Sequence, residues 1–267
     1  MLPTREPFDL RAALPFLEGD GWRGKLRGLL DEMLGLGRVR VNFRQAAEGK
    51  GEPFANALEA FGLQLVADGF EAAVPTSGPV VVMANHPYGG ADALSLGALC
   101  MARRRDTLLM ANEMAAELPV LGESMLPLSI LGAEGSSRKN ALVLKRSLDH
   151  LRGGGLLAVF PSGEVASWKG SAVEEGSWSP HIASLALKTG AELVAVKFSG
   201  KTPAWFHLAG GIHPLVRTAL LPRVLLAMRG ETVRCKALRL ERASCEAMDA
   251  ASAAATLRRT TLEIDAV

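Results

Sequence analysis

The chain has 267 residues, enough to bury a sizeable core without disulfide or metal staples. Hydrophobic residues make up 48% and charged residues 22%, which excludes a disordered chain, a collagen and a coiled coil. Thirty basic residues against 28 acidic ones leave a formal charge of +2, too balanced for a general nucleic-acid binder.

In chain order, the opening MLPTREPFDLRAALPFLEGD lacks the basic-then-apolar layout of a signal peptide. A long helical pattern then fills residues 8–60. Within it Trp22, Leu26, Leu29, Leu30 and Met33 fall on one helical face, and residues 22–44 carry a net charge of +4. A basic amphipathic helix bearing a tryptophan suits an anionic membrane surface; the plainer reading is a surface helix packed on the core. Strand patterns follow at 62–69, 79–84, 107–111, 126–131, 155–160, 192–198 and 232–240, alternating with helical patterns at 91–104, 138–152 and 180–189. A helix over 245–263 closes the chain. The spacing predicts an α/β protein, with a helical N-terminal extension (1–60) and one α/β domain (61–267). Residues 169–177, between Trp168 and Trp178, read as a Ser/Gly/Glu-rich loop. A second basic stretch, 201–242, carries net +6. No segment reaches the roughly 20 apolar residues that span a bilayer. Cys100, Cys235 and Cys245 lack metal or redox spacing and suit a reducing compartment. The expectation is a cytoplasmic protein, peripheral on the inner face of the membrane.

The most specific segment is NHPYGGADAL, residues 85–94. The buried-strand run PVVVMA ends on Asn85-His86, Pro87 stops the strand, Gly89-Gly90 permits a tight turn, and a helix starts near Ala91. A histidine between a strand end and a helix start lies at the sheet rim, where α/β proteins build their sites. A neutral imidazole there can take a proton from a hydroxyl, and Asp92 can hold its tautomer and stabilise the imidazolium. A histidine that merely caps a turn is the alternative.

This segment resembles the signature of the glycerolipid acyltransferases, which move a fatty acyl chain from a thioester to a hydroxyl of a lysolipid. That signature is a histidine and an aspartate with four residues between them; here five lie between His86 and Asp92. NHP-x-GG-x-D is similar to a branch that includes lysophospholipid and lyso-ornithine-lipid acyltransferases and haemolysin-type proteins. The segment FPSGEVAS resembles the family's third block, F-P-E-G-T-x-S: Phe160, Pro161, Gly163 and Ser167 match, while Ser162 and Glu164 stand where the family has Glu and Thr. The resemblance implies a mixed sheet flanked by helices, with Ser162, Gly163 and Glu164 binding substrate. It makes Arg138, in GAEGSSRKN, the candidate for the acceptor head group, and shows Lys197 replacing an apolar residue of the fourth block. It further implies acyl-CoA or acyl carrier protein as the donor co-substrate, a lysolipid acceptor and no other cofactor.

These blocks make one chemical sense. His86 is the general base for the acceptor hydroxyl, and backbone amides at Gly89 and Gly90 are donors for the tetrahedral oxyanion. Direct attack needs no side-chain nucleophile, so Ser95 and Cys100 read as packing residues. His207 and His213 have no acidic or thiol companions, and no metal site is expected. The extra residue beside Gly89-Gly90 is expected to widen the turn, leaving Asp92 in the first helical turn at about 2.6–3.2 Å from His86 Nδ1. Glu164 and Glu113 are the rival orienters. A lipid-binding protein without catalysis and an acyl thioesterase are the competing functions.

Overall fold

The computed structural model describes residues 8–118, 120–129, 136–170, 172–210 and 214–265. The end of the fourth expected strand (130–131) and His213 lie outside the described residues. Helices α1 (Leu10–Ala13), α2 (Trp22–Leu34), α3 (Leu36–Glu48) and α4 (Pro53–Phe61) form the opening. Strand β1 (Gln64–Asp68), the short α5 (Phe70–Ala73), β2 (Val80–Ala84) and α6 (Gly90–Arg103) follow. Next come β3 (Thr107–Asn112), α7 (Glu113–Ala116), β4 (Met125–Leu128), α8 (Ser136–Arg152) and β5 (Leu156–Val159). A small hairpin, β6 (Ser167–Trp168) and β7 (Val173–Glu174), precedes α9 (Pro180–Thr189) and β8 (Glu192–Ser199). The chain closes with α10 (Ala204–Gly210), α11 (Pro214–Ala227), β9 (Thr232–Leu240), α12 (Ala243–Glu246) and α13 (Ala250–Glu263).

The main sheet has seven strands in the order β1-β9-β8-β2-β5-β3-β4. All neighbours pair parallel except β8 with β9, so the sheet is mixed. Every residue of β2 and of β5 is buried, which is why both read as unbroken apolar runs rather than alternating ones. Successive side chains of β2 enter opposite cores. Val80, Val82 and Ala84 pack with α3, α4 and α6, while Val81 and Met83 pack with α8, α9 and α13. Val39, Phe43, Phe54 and Phe61 of the opening helices lie in the same apolar cluster as β2. No helix among the described residues is long and apolar enough to cross a membrane.

Three segments differ from their sequence reading for identifiable reasons. The helix expected from 245 starts at Ala250, because Asp249 accepts the N–H groups of Ala251 and Ser252 and caps it there. The 169–177 loop contains β7 and the turn of the hairpin, strands too short to show periodicity. Residues 214–227 form α11 despite Pro222 inside it, which removes the sequence signal for a continuous helix.

Lys197 has a structural explanation. Its ammonium donates to the carbonyl of Leu262 (2.7 Å) and to that of Ile264, at the C-terminal end of α13. Helix-end carbonyls lack intrahelical partners, and a cation is favoured there. Lys197→Met is expected to leave them unpaired and to destabilise the fold by about 1–3 kcal/mol, measured as a lower urea midpoint with an unchanged m-value.

Candidate functional site

The site forms where β2 ends. Asn85, the first residue past the strand, is 8% exposed, and its side-chain amide takes the place of a ladder partner for β8. It accepts from Phe198 N–H (2.7 Å) and donates to Phe198 C=O (3.0 Å). The Tyr88 hydroxyl donates to the Ser199 carbonyl (2.8 Å), tying the loop to the same strand. Between these ties sits His86, with its ring stacked on Phe160 at 4.0 Å between centroids.

The turn after His86 needs glycine. Gly89 has φ +84°, and a β-carbon there would come within 2.7 Å of Leu221 and 3.2 Å of Val165. This turn delivers Asp92 into the first turn of α6, fully buried. Asp92 Oδ2 accepts the Tyr88 N–H at 2.8 Å, and Oδ1 lies 3.0 Å from His86 Nδ1. Neither Oδ1 nor Nδ1 has a hydrogen-bond partner elsewhere. The distance falls inside the expected range, and the extra residue is taken up in the loop before the helix. The rival carboxylates point elsewhere: Glu164 pairs with Arg217 and Glu113 with Lys139, each at 3.1 Å.

With Nδ1 turned to Asp92, Nε2 is the nitrogen available to a substrate, and the side chain keeps 15% of its surface exposed. Burial by itself would lower the imidazole pKa from its ordinary 6.5. The facing Asp92 carboxylate, and behind it Glu175, outweigh that, and the net direction is upward. The first turn of α6, starting at Gly90, has no side-chain cap, and its first N–H groups have no carbonyl one turn earlier to bond. Neither Ser95 nor Cys100 is set up as a nucleophile. Ser95 donates to the Ala91 carbonyl (2.7 Å) within α6, and burial pushes the Cys100 thiol far up.

The block after β5 forms a tight turn in which the Gly163 N–H returns to the Phe160 carbonyl (2.9 Å) and the Ser162 hydroxyl donates to the Glu164 carbonyl (2.9 Å). Two residues on, Ala166 N–H donates to the His86 carbonyl (2.9 Å), so this block borders the histidine. Arg138 is exposed in the first turn of α8 and makes no polar contact with another described residue. Among the described residues no three His, Cys, Asp or Glu side chains gather as a metal ion would require. His207 instead bonds Thr202 through Nε2 (2.8 Å).

Two residues here escaped the sequence reading. Arg217 reaches Glu164 from α11, across 53 residues. Glu175 is 6% exposed and accepts the backbone N–H of His86 at 3.0 Å. In the sequence Glu175 is one of two adjacent glutamates in a polar loop, and nothing there separates it from its exposed neighbour Glu174.

The acyltransferase family profile matches residues 68–202, about half of the chain. No curated protein matches it. Among solved structures, the 1-acyl-sn-glycerophosphate (LPA) acyltransferase PlsC from Thermotoga maritima is similar at 16% identity and a TM-score of 0.48, over 89% of this chain and 87% of that one.

The electrostatics of the pair are open to direct measurement. His86 is expected to titrate above 6.5, and Asp92→Asn to lower its pKa, because burial then loses its main opponent. Imidazole NMR titration of both proteins checks the sign; a higher pKa in Asp92→Asn would contradict the assigned pairing.

Proposed function

Because the chain belongs to the acyltransferase family, we propose that it transfers a fatty acyl group from an acyl thioester to a hydroxyl of a lysolipid, with His86 as general base. The single observation that carries this reading is the His86–Asp92 contact at the rim of the sheet, with Nε2 left for a substrate. In the reaction Nε2 takes the proton of the acceptor hydroxyl as its oxygen attacks the thioester carbonyl. Asp92 holds the Nδ1–H and offsets the charge of the imidazolium. The oxyanion of the tetrahedral intermediate is stabilised by amides at Gly89 and Gly90, near the start of α6. Its collapse expels the thiolate, which takes the proton back from Nε2. The acyl donor is acyl-CoA or acyl carrier protein, and no resident cofactor enters the chemistry. Ser162, Gly163 and Glu164 line the substrate side of His86, and Arg138 binds the acceptor head group through its guanidinium fork.

The protein works at the inner face of the membrane, as a peripheral protein that docks on anionic lipid. The state of α2 supports this. Trp22, Leu29 and Met33, three members of its apolar face, are 64%, 55% and 55% exposed, and no residue of the helix is fully buried. An ordinary surface helix would turn that face onto the core. Arg23 and Arg27 lie on the same helix.

Thiol release from palmitoyl-CoA, measured with and without 1-oleoyl lysophosphatidic acid, tests the chemistry. Release that requires the acceptor is expected; release without it would make the protein a thioesterase, and no release would leave a lipid binder. His86→Ala is expected to lower turnover by a factor on the order of 10²–10⁴ with the fold intact. In the same assay Arg138→Ala should raise the acceptor KM more than the donor KM. Vesicle sedimentation tests the membrane reading: binding should require anionic lipid and weaken as salt rises, and equal binding to neutral vesicles would overturn it.

A further inference from the structure

Glu175 is the second buried carboxylate beside His86, and the acyl-transfer reading leaves it without a role. Its setting follows from the hairpin. The chain leaves the block at 160–164, runs out along β6, returns along β7 and reaches Glu175, so both ends of the hairpin come back to one residue. On the outward path the Ala166 N–H donates to the His86 carbonyl, and on the return Glu175 Oε2 accepts the His86 N–H at 3.0 Å. The backbone of His86 is therefore gripped on both of its polar groups.

The glutamate is itself anchored. Its Oε1 accepts the Trp178 indole N–H at 3.3 Å. From α13, Arg258 donates to the carbonyls of Glu175 (2.7 Å) and Gly176 (2.8 Å). A single backbone N–H can be satisfied by a carbonyl or a neutral amide, and burying a carboxylate for that purpose alone is costly. What the carboxylate adds is negative charge next to an imidazole that must become an imidazolium.

We propose that Glu175 is a positioning residue for His86, fixing its backbone and, together with Asp92, stabilising the imidazolium formed when the acceptor loses its proton. This rests on the reading of His86 as general base. The charged groups around the ring are consistent with a role for both acids. Asp92 faces it from α6 and Glu175 from the segment between β7 and α9. Phe160, after β5, is neutral, and the Tyr88 phenol is turned away to Ser199. Glu164 is engaged by Arg217 of α11, and Arg258 addresses the carbonyls of the 175–176 segment. Burial pushes the Glu175 carboxyl up; the His86 N–H, Ser162, the His86 charge and Trp178 offset only part of this, and the net direction is upward.

Glu175→Gln keeps the size and the acceptor oxygen and removes the charge. In the full-length protein, imidazole NMR titration is expected to show a lower His86 pKa, by about half a unit to one unit. With palmitoyl-CoA and 1-oleoyl lysophosphatidic acid, kcat is expected to fall about 10-fold with both KM values within about twofold. A wild-type imidazole titration in Glu175→Gln overturns the proposal whatever the rate. If circular dichroism shows that Glu175→Gln does not fold, Arg258→Met carries the test. That substitution loosens the anchor from a helix remote from the hydroxyl chemistry, and is expected to lower kcat at unchanged KM; a wild-type kcat overturns the proposal. Failure of the general-base reading is distinguished by His86→Ala, which would then retain transfer, while the titration of Glu175→Gln still decides whether the carboxylate acts on the ring.

Discussion

A fully buried carboxylate must be met by donors, and the burial of Asp92 is the constraint on which the rest of the site depends. One oxygen is satisfied by the Tyr88 amide and the other faces the ring of His86. Both contacts require the chain to double back between Pro87 and Gly90. Gly89 provides that reversal in a backbone conformation and a space that a side chain would not tolerate. The histidine tautomer, the nitrogen left for a substrate and the starting point of α6 all follow from this one reversal.

The loop is held still by elements distant in sequence. Asn85 and Tyr88 both bond the end of β8, more than one hundred residues later, and the hairpin closes on His86 from the other side. Leu221 of α11 packs over Gly89, and Arg217, one turn earlier on the same helix, pairs with Glu164. Under the proposed mechanism His86 must stay within hydrogen-bond reach of the proton it removes, so the fixing of its backbone matters as much as its pKa. The polar groups behind His86 are arranged to keep it in place, and the ring keeps a small exposed surface.

The opening helices are packed differently from one another. Leu36, Val39, Phe43 and Ala46 of α3 are buried, so this helix is part of the packed body. The preceding α2 has no fully buried residue and leaves large apolar side chains in solvent. These exposed apolar groups are the support for the proposed lipid contact.

The sequence by itself determined the layered α/β plan, because fully buried strands such as β2 must be apolar on both faces and helices must show one apolar stripe. It also marked His86, Asp92 and the double glycine, since a strand end followed by Pro and Gly-Gly leaves a local pattern. The 3.0 Å contact was anticipated for the same reason: both partners lie within seven consecutive residues. The rest was decided by tertiary structure. Glu175 and Arg217 reach the site across 89 and 53 residues, and a glutamate's burial is a property of what packs around it. Lys197 stood out in the sequence as a departure from the family pattern, yet its partners are carbonyls at the end of α13, placed there only when the last helix docks on the sheet. Local periodicity and turn chemistry are written in neighbouring residues; the pairing of buried charges depends on contacts between segments that only folding brings together.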